Sequence, residues 1–164
     1  MTSLSAPRTV APTGTATSGT GPRTAALAAV LIVSAALPFI FLPMEQSWGH
    51  LAFHLVGAPV CVVAIILLAG IRRISTSKAV RVLTWIPTVT FAGWCIGHLG
   101  EMAVVLSHGG AHADEHVFEH PVHSFFATIA IPSWLGSVAT TLVLLVTIGI
   151  LALVRARVRA WARR

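Results

Sequence analysis

Histidine and acidic side chains are concentrated in one stretch of this chain, residues 98–123. The stretch carries six of the eight histidines and four of the five acidic residues. Imidazole and carboxylate groups together suit zinc, copper, iron or nickel, whereas calcium and magnesium prefer oxygen ligands alone. This combination of side chains therefore indicates a site for a transition metal ion.

Histidine recurs at every fourth residue through the middle of this stretch and once more at its end. A spacing of four residues places side chains on one face of an α-helix. Because Gly109 and Gly110 precede most of the repeat and Pro121 follows it, we expect a short amphipathic helix over residues 111–120. The candidate metal ligands in this part of the chain are His108, His112, His116, His120 and His123. The alternative is a solvated loop whose histidines chelate metals only weakly.

Further candidate ligands lie in the apolar segments beside the loop. His50 and His54 are four residues apart, a spacing that directs two imidazoles of one helix toward the same ion. His98 and Glu101 are three residues apart and are therefore also neighbours on a helix surface. Ionisable groups inside a membrane span usually face a bundle interior or a cavity. These four residues are therefore included in the predicted metal site.

The composition of the chain is that of a membrane protein. Its 164 residues are 55% hydrophobic and only 10% charged, with a mean hydropathy of +0.85, well beyond the apolar content of soluble domains. Four apolar segments are each long enough for an α-helix to cross a hydrocarbon core about 30 Å thick. They span residues 24–43, 50–71, 79–107 and 121–154. We expect an all-α membrane protein in which four transmembrane helices form a bundle.

The positions of the basic residues predict the orientation of this bundle. With four spans, every arginine and lysine falls on one side, which the positive-inside rule makes cytoplasmic. All histidines and acidic residues lie on or near the opposite half. We expect a multi-pass protein of the cell inner (plasma) membrane with two cytoplasmic tails, a disordered one at residues 1–23 and a basic one at residues 155–164. Because the net charge of +6 is distributed over helix ends, nucleic-acid binding is excluded.

The leading functional hypothesis is the binding, sensing or transfer of a transition metal ion at the extracytoplasmic face. Copper and zinc are the expected ions. Cys95 and Met102 share one helix face with His98, and they favour copper slightly because soft sulfur ligands select Cu(I). The expected partners are the lipid bilayer and either a second copy of the chain or a larger membrane complex.

Three other functions are compatible with the sequence. A membrane haem b protein would use two histidines from facing helices as axial ligands, such as His54 with His98 or His123. A metal-dependent membrane hydrolase would use Glu101 or Glu115 as its general base, so the question of enzymatic activity stays open. A non-enzymatic accessory subunit would associate through small residues along its helices, namely Gly57, Gly93, Gly97 and Gly136.

Overall fold

Helices account for all the regular secondary structure in residues 20–41 and 46–164, the parts of the chain that this computed structural model describes. The α-helices in these residues are α1 (Thr20–Phe41), α2 (Gln46–Ile74), α3 (Lys78–Leu83), α4 (Trp85–Ser107) and α5 (Pro121–Trp161). Four helical segments are long and apolar enough to cross a membrane, and α3 and α4 together form one of them. The prediction of a helical chain with four helices of membrane-spanning length and composition is confirmed.

The first and last helices extend further than their predicted bounds. Helix α1 begins at Thr20, inside the predicted N-terminal tail, and residues 1–19 of that tail lie outside the described residues. Helix α5 continues past residue 154 to Trp161 and contains 41 residues. At 1.5 Å of rise per residue its length is about 60 Å, roughly twice the thickness of a hydrocarbon core. Its last turns are therefore unpacked, and residues 152–164 are all exposed.

The third apolar segment, predicted as one helix over residues 79–107, is interrupted at Thr84, between α3 and α4. Pro87 explains the interruption, because its ring nitrogen has no hydrogen to donate to the carbonyl of Leu83. The hydroxyl of Thr84 donates a hydrogen bond to the carbonyl of Arg81 at 2.8 Å. The interruption is therefore local, and the two helices remain one membrane-spanning segment.

The connection between α4 and α5 does not form the single amphipathic helix expected over residues 111–120. It contains two 3₁₀ helices, Gly110–His112 and Glu115–Glu119. Gly109 follows α4 with a φ of 106°, a left-handed conformation that glycine adopts without steric cost. Between the two short helices the backbone is extended, and the Asp114 carboxylate accepts a hydrogen bond from the backbone N–H two residues later at 3.2 Å. This cap begins a new helical turn and prevents one continuous helix.

The close approach of α4 and α5 depends on glycine. These two helices share the most extensive contact in the bundle, α2 packs between α1 and α4, and α1 and α5 share a much smaller contact. A Cβ atom added at Gly97 would lie 2.5 Å from the Cβ atom of Ala130, so a larger residue does not fit there. Gly93 and Gly136 also face side chains of the same chain. These glycines, considered above for association with a partner, are used within the bundle.

Helices α1 and α5 are joined by a hydrogen bond that depends on a proline. Pro38 in α1 has no N–H, so the Ser34 carbonyl four residues earlier lacks its helical donor. The indole N–H of Trp134 in α5 donates to this carbonyl at 2.9 Å. Because a hydrocarbon environment offers no water to such a group, the indole satisfies a backbone carbonyl that Pro38 leaves free.

We predict that Trp134→Phe lowers the free energy of unfolding by about 1 kcal/mol, because a buried carbonyl loses its donor. Pro38→Ala supplies a backbone N–H to Ser34, so Trp134→Phe should cost markedly less in that background. The resulting double-mutant cycle is measured by unfolding in mixed detergent and SDS, followed by circular dichroism. Trp161→Phe, at a position 83% exposed, is the control and should be neutral. Equal costs of Trp134→Phe in the two backgrounds would contradict the role of Pro38.

Candidate metal centre

Four ionisable side chains meet where three helix ends come together, at a place we call the histidine end of the bundle. His50 and His54 lie in the first three turns of α2, Glu101 in the last two turns of α4, and His123 in the first turn of α5. Pro121 begins α5, and the side chain of His120 accepts a hydrogen bond from the backbone N–H of residue 122 at 3.3 Å. This cap fixes the first turn of α5, from which the His123 ring points into the bundle.

The distances among these four side chains suit a single metal ion. Their ligand atoms all lie within 4.8 Å of one another. The Nε2 atoms of His50 and His54 are each 3.7 Å from Glu101 Oε2, and His123 Nε2 is 3.5 Å from it. His50 Nε2 and His123 Nε2 are 3.1 Å apart. A tetrahedral ion with bonds of about 2.0–2.1 Å separates its ligands by about 3.3–3.4 Å, whereas a hydrogen bond to the carboxylate would be shorter than the distances found.

Three of the four residues are buried, and His50 is partly buried. Glu101 is only 6% exposed, and within the described residues its ion-pair partners are histidines alone. The Nε2 atom of His54 is buried and has no hydrogen-bond partner. An unpaired buried polar group costs about 1–3 kcal/mol, and an uncompensated buried charge costs more. One cation bound between them would satisfy the carboxylate and this nitrogen together.

His98, predicted as a ligand, lies behind His54 and outside the group of four. The Nδ1 atoms of the two rings are 2.8 Å apart, and both residues are fully buried. A histidine that binds a metal through Nε2 carries its proton on Nδ1 and donates it to a neighbouring acceptor. His98 Nδ1 is placed to be that acceptor. If His54 binds an ion through Nε2, His98 would set the orientation and tautomer of His54 from behind it.

The ring of His98 is held by close packing. It lies 4.8 Å from the ring of Phe53 and 4.9 Å from the ring of Trp94, measured between centroids. On its Nε2 edge it rests against Gly57, and a Cβ atom added there would overlap the imidazole. Gly57 is therefore required for space, and the packing leaves His98 little freedom to move.

The loop between α4 and α5 covers the four side chains. The centroid of the Phe118 ring lies 4.7 Å from that of His50 and 5.6 Å from that of His123. Val117 is buried and packs with Leu51 and other apolar side chains of the bundle. Apolar residues of the loop thus cover part of the cluster at the histidine end, where the His50 side chain is still 19% exposed.

The remaining predicted ligands lie outside the cluster. His108, His116 and His120 line a separate, open hollow of about 290 Å³ with Asp114, and His112 is exposed on the loop. A 3₁₀ helix has three residues per turn, so a spacing of four residues does not keep side chains on one face. The change from one α-helix to two 3₁₀ helices therefore removes the single helical face on which the sequence placed these histidines.

Two expectations about the ligand set find no support in the geometry. The thiol of Cys95 points to the carbonyl of Ala58 at 3.9 Å, and Met102 packs in an apolar cluster, so neither sulfur joins the four ligand atoms. The rings of His54 and His98 are in direct contact, which leaves no space for a porphyrin between them. This pair does not fit the two axial positions of a haem.

A cavity of about 270 Å³ adjoins the cluster, and no residue of its apolar wall was identified from the sequence. It is bounded at one end by His50, Glu101 and His123. The apolar wall includes Pro38, Phe53, Trp94, Ala127, Ile131 and Trp134. Ala127 and Trp134 follow His123 by 4 and 11 residues, which places all three on one face of α5. This helical spacing from His123 is the feature of the sequence that could have identified Ala127 and Trp134 as residues of the cavity wall.

Within the described residues, one group of potential metal ligands lies close enough to hold an ion. It consists of His50, His54, Glu101 and His123. Comparisons of the chain with protein-family models, with curated proteins and with solved structures find no match.

We predict that Gly57→Ala lowers the free energy of unfolding by roughly 1–3 kcal/mol, the usual cost of overpacking, because the new Cβ atom displaces the His98 ring. Gly149→Ala is the matched control, since nothing lies within 4 Å of a Cβ atom at that position. It should be neutral or slightly stabilising because alanine favours a helix over glycine. Thermal unfolding of both variants in one detergent gives the comparison, and equal stability would rule out the tight packing of His98 on Gly57.

Proposed function

We propose that this chain is a multi-pass protein of the cell inner membrane that binds one transition metal ion in the extracytoplasmic half of its bundle, for metal binding, sensing or transfer. Both termini are cytoplasmic in this proposal, as the distribution of arginine favours. The observation that carries the proposal is the buried Glu101 carboxylate, with three imidazole Nε2 atoms 3.5–3.7 Å from one of its oxygens. His50, His54 and His123 supply those nitrogen atoms.

The ligand set favours zinc over Cu(I). Three imidazole nitrogens and one carboxylate oxygen are ligands typical of Zn²⁺, and the separations of the ligand atoms suit its tetrahedral geometry. Cu(I) is selected by thiolate and thioether sulfur, and the sulfur atoms of Cys95 and Met102 lie elsewhere. Cu²⁺ also accepts imidazole and is the second candidate.

The exposed histidines of the loop have a lesser role in this proposal. His108, His116 and His120 share an open hollow, where water competes for any bound ion. We propose that they bind metal weakly, so that they raise its local concentration near the buried site.

We predict that untagged protein, purified in mild detergent, contains about one zinc or copper ion per chain by elemental analysis. Glu101→Gln, which keeps the shape of the side chain and removes its charge, should weaken metal binding by more than about tenfold. The matched control is Glu119→Gln, at an exposed position of the loop, which should retain the metal. Replacing His108, His112 and His116 together with Gln should also leave about one ion per chain. Metal retained in Glu101→Gln, or lost in the loop variant, would refute the assignment.

We also predict that His98→Leu weakens metal binding about 10–100-fold, the usual effect of removing the partner that orients a ligand. The side-chain amide of Asn reaches the position of His98 Nδ1, so His98→Asn should recover part of the affinity. Competition with a chromophoric zinc chelator measures both variants. Equal losses in His98→Leu and His98→Asn would show that His98 contributes packing alone.

A further inference from the structure

The cavity beside the metal cluster has one polar end and an otherwise apolar wall. His50, Glu101 and His123 form the polar end. The rest of the wall consists of aromatic and aliphatic side chains from α1, α2, α4 and α5, and no lysine or arginine of the described residues lines it. A molecule that fits such a cavity has a single polar group and an apolar body.

The cavity is closed toward the histidine end and toward the centre of the bundle. Phe118 covers His50 and His123 from the loop. At the opposite end, the hydrogen bond from the Trp134 indole to the Ser34 carbonyl holds α5 against α1. These contacts narrow the path of a water-soluble molecule to the cluster, although the His50 side chain is still 19% exposed.

The side of the cavity between α1 and α5 is its open side. Their contact is much smaller than those of α1 with α2, α2 with α4 and α4 with α5. Ile131 lines the cavity and is nevertheless 60% exposed, on the surface that faces lipid if the four helices cross a membrane. In that case the opening between α1 and α5 faces the hydrocarbon, and an apolar molecule would reach the cluster from there.

Charge indicates the polar group of the occupant. A divalent ion bound by neutral imidazoles and by the Glu101 carboxylate retains one net positive charge. In an apolar environment one further anionic oxygen would neutralise it, and zinc can expand from four ligands to five. The volume of about 270 Å³ equals that of about nine waters, which accommodates part of an alkyl chain.

We infer that the cavity binds a long-chain carboxylate of the fatty-acid class, with its alkyl chain along Trp94, Ala127 and Trp134 and its carboxylate on the metal ion. The molecule enters from the bilayer between α1 and α5. The inference rests on the proposed metal site, because the ion supplies the positive charge that holds the carboxylate.

Cobalt-loaded protein in bilayer nanodiscs tests the inference, since the visible spectrum of Co²⁺ changes when an oxygen ligand joins it. Decanoate and acetate are the two probes. The decanoate concentration is expressed as its mole fraction in the bilayer. Ala127→Phe fills the cavity, and Ala139→Phe, at an exposed position of α5, is its matched control. In Ala127→Phe we expect the half-maximal decanoate concentration to rise about tenfold, the effect of excluding roughly two methylenes. The response to acetate should not change, and Ala139→Phe should behave as the unaltered protein.

Ile131→Trp, which obstructs the opening from the lipid side, should have the same effect as Ala127→Phe. The spectrum before addition of a probe shows that each variant still binds cobalt. A decanoate response that is equal in Ala127→Phe, Ile131→Trp and Ala139→Phe would overturn the inference and leave the metal site standing. An unaltered protein that binds no cobalt would overturn both.

Discussion

The cost of burying the Glu101 carboxylate governs the organisation of the histidine end. A carboxylate removed from water loses hydration worth several kcal/mol, which only an opposite charge with good geometry offsets. Within the described residues neither arginine nor lysine pairs with it, and three imidazoles surround it. A neutral imidazole supplies a dipole but no net charge, so a metal ion held among these side chains would offset the charge of an ionised Glu101. Several elements hold Glu101 and the three histidines together. They are the starts of α2 and α5, the cap at the first turn of α5 and the loop between α4 and α5.

Part of the site could be predicted from the sequence because the positions of those residues depend on helical spacing alone. The interval between His50 and His54 places both on one face of α2, and the position of Glu101 inside an apolar segment indicated a buried, functional carboxylate. The apolar lengths of the four segments also predicted the helical composition of the chain. What spacing could not predict is how far α4 is rotated about its axis. Glycine contacts such as that of Gly97 with Ala130 allow α4 and α5 to approach closely. In the resulting packing Glu101 lies beside His50, His54 and His123, and His98 lies behind His54.

The loop histidines show where helical spacing fails as a guide. Five histidines in register predicted one face of one helix, yet the left-handed conformation at Gly109 and the cap at Asp114 divide the loop into two 3₁₀ helices. Only His123 lies beyond the loop, in the first turn of α5, and it alone among the five joins the buried cluster. The packing of Val117 and Phe118 on the bundle, which periodicity does not reveal, turns most of the other histidines outward.

The hydrogen bond between Trp134 and the Ser34 carbonyl has a consequence for how this sequence can diverge. An indole at position 134 satisfies a carbonyl that is free only while position 38 is proline. Loss of the proline removes the need for the indole, whereas loss of the indole alone leaves a buried carbonyl unpaired. The order of acceptable substitutions is therefore directional: proline is replaced first and tryptophan second. Related chains should accordingly covary at these two positions, with tryptophan lost only where proline is already absent.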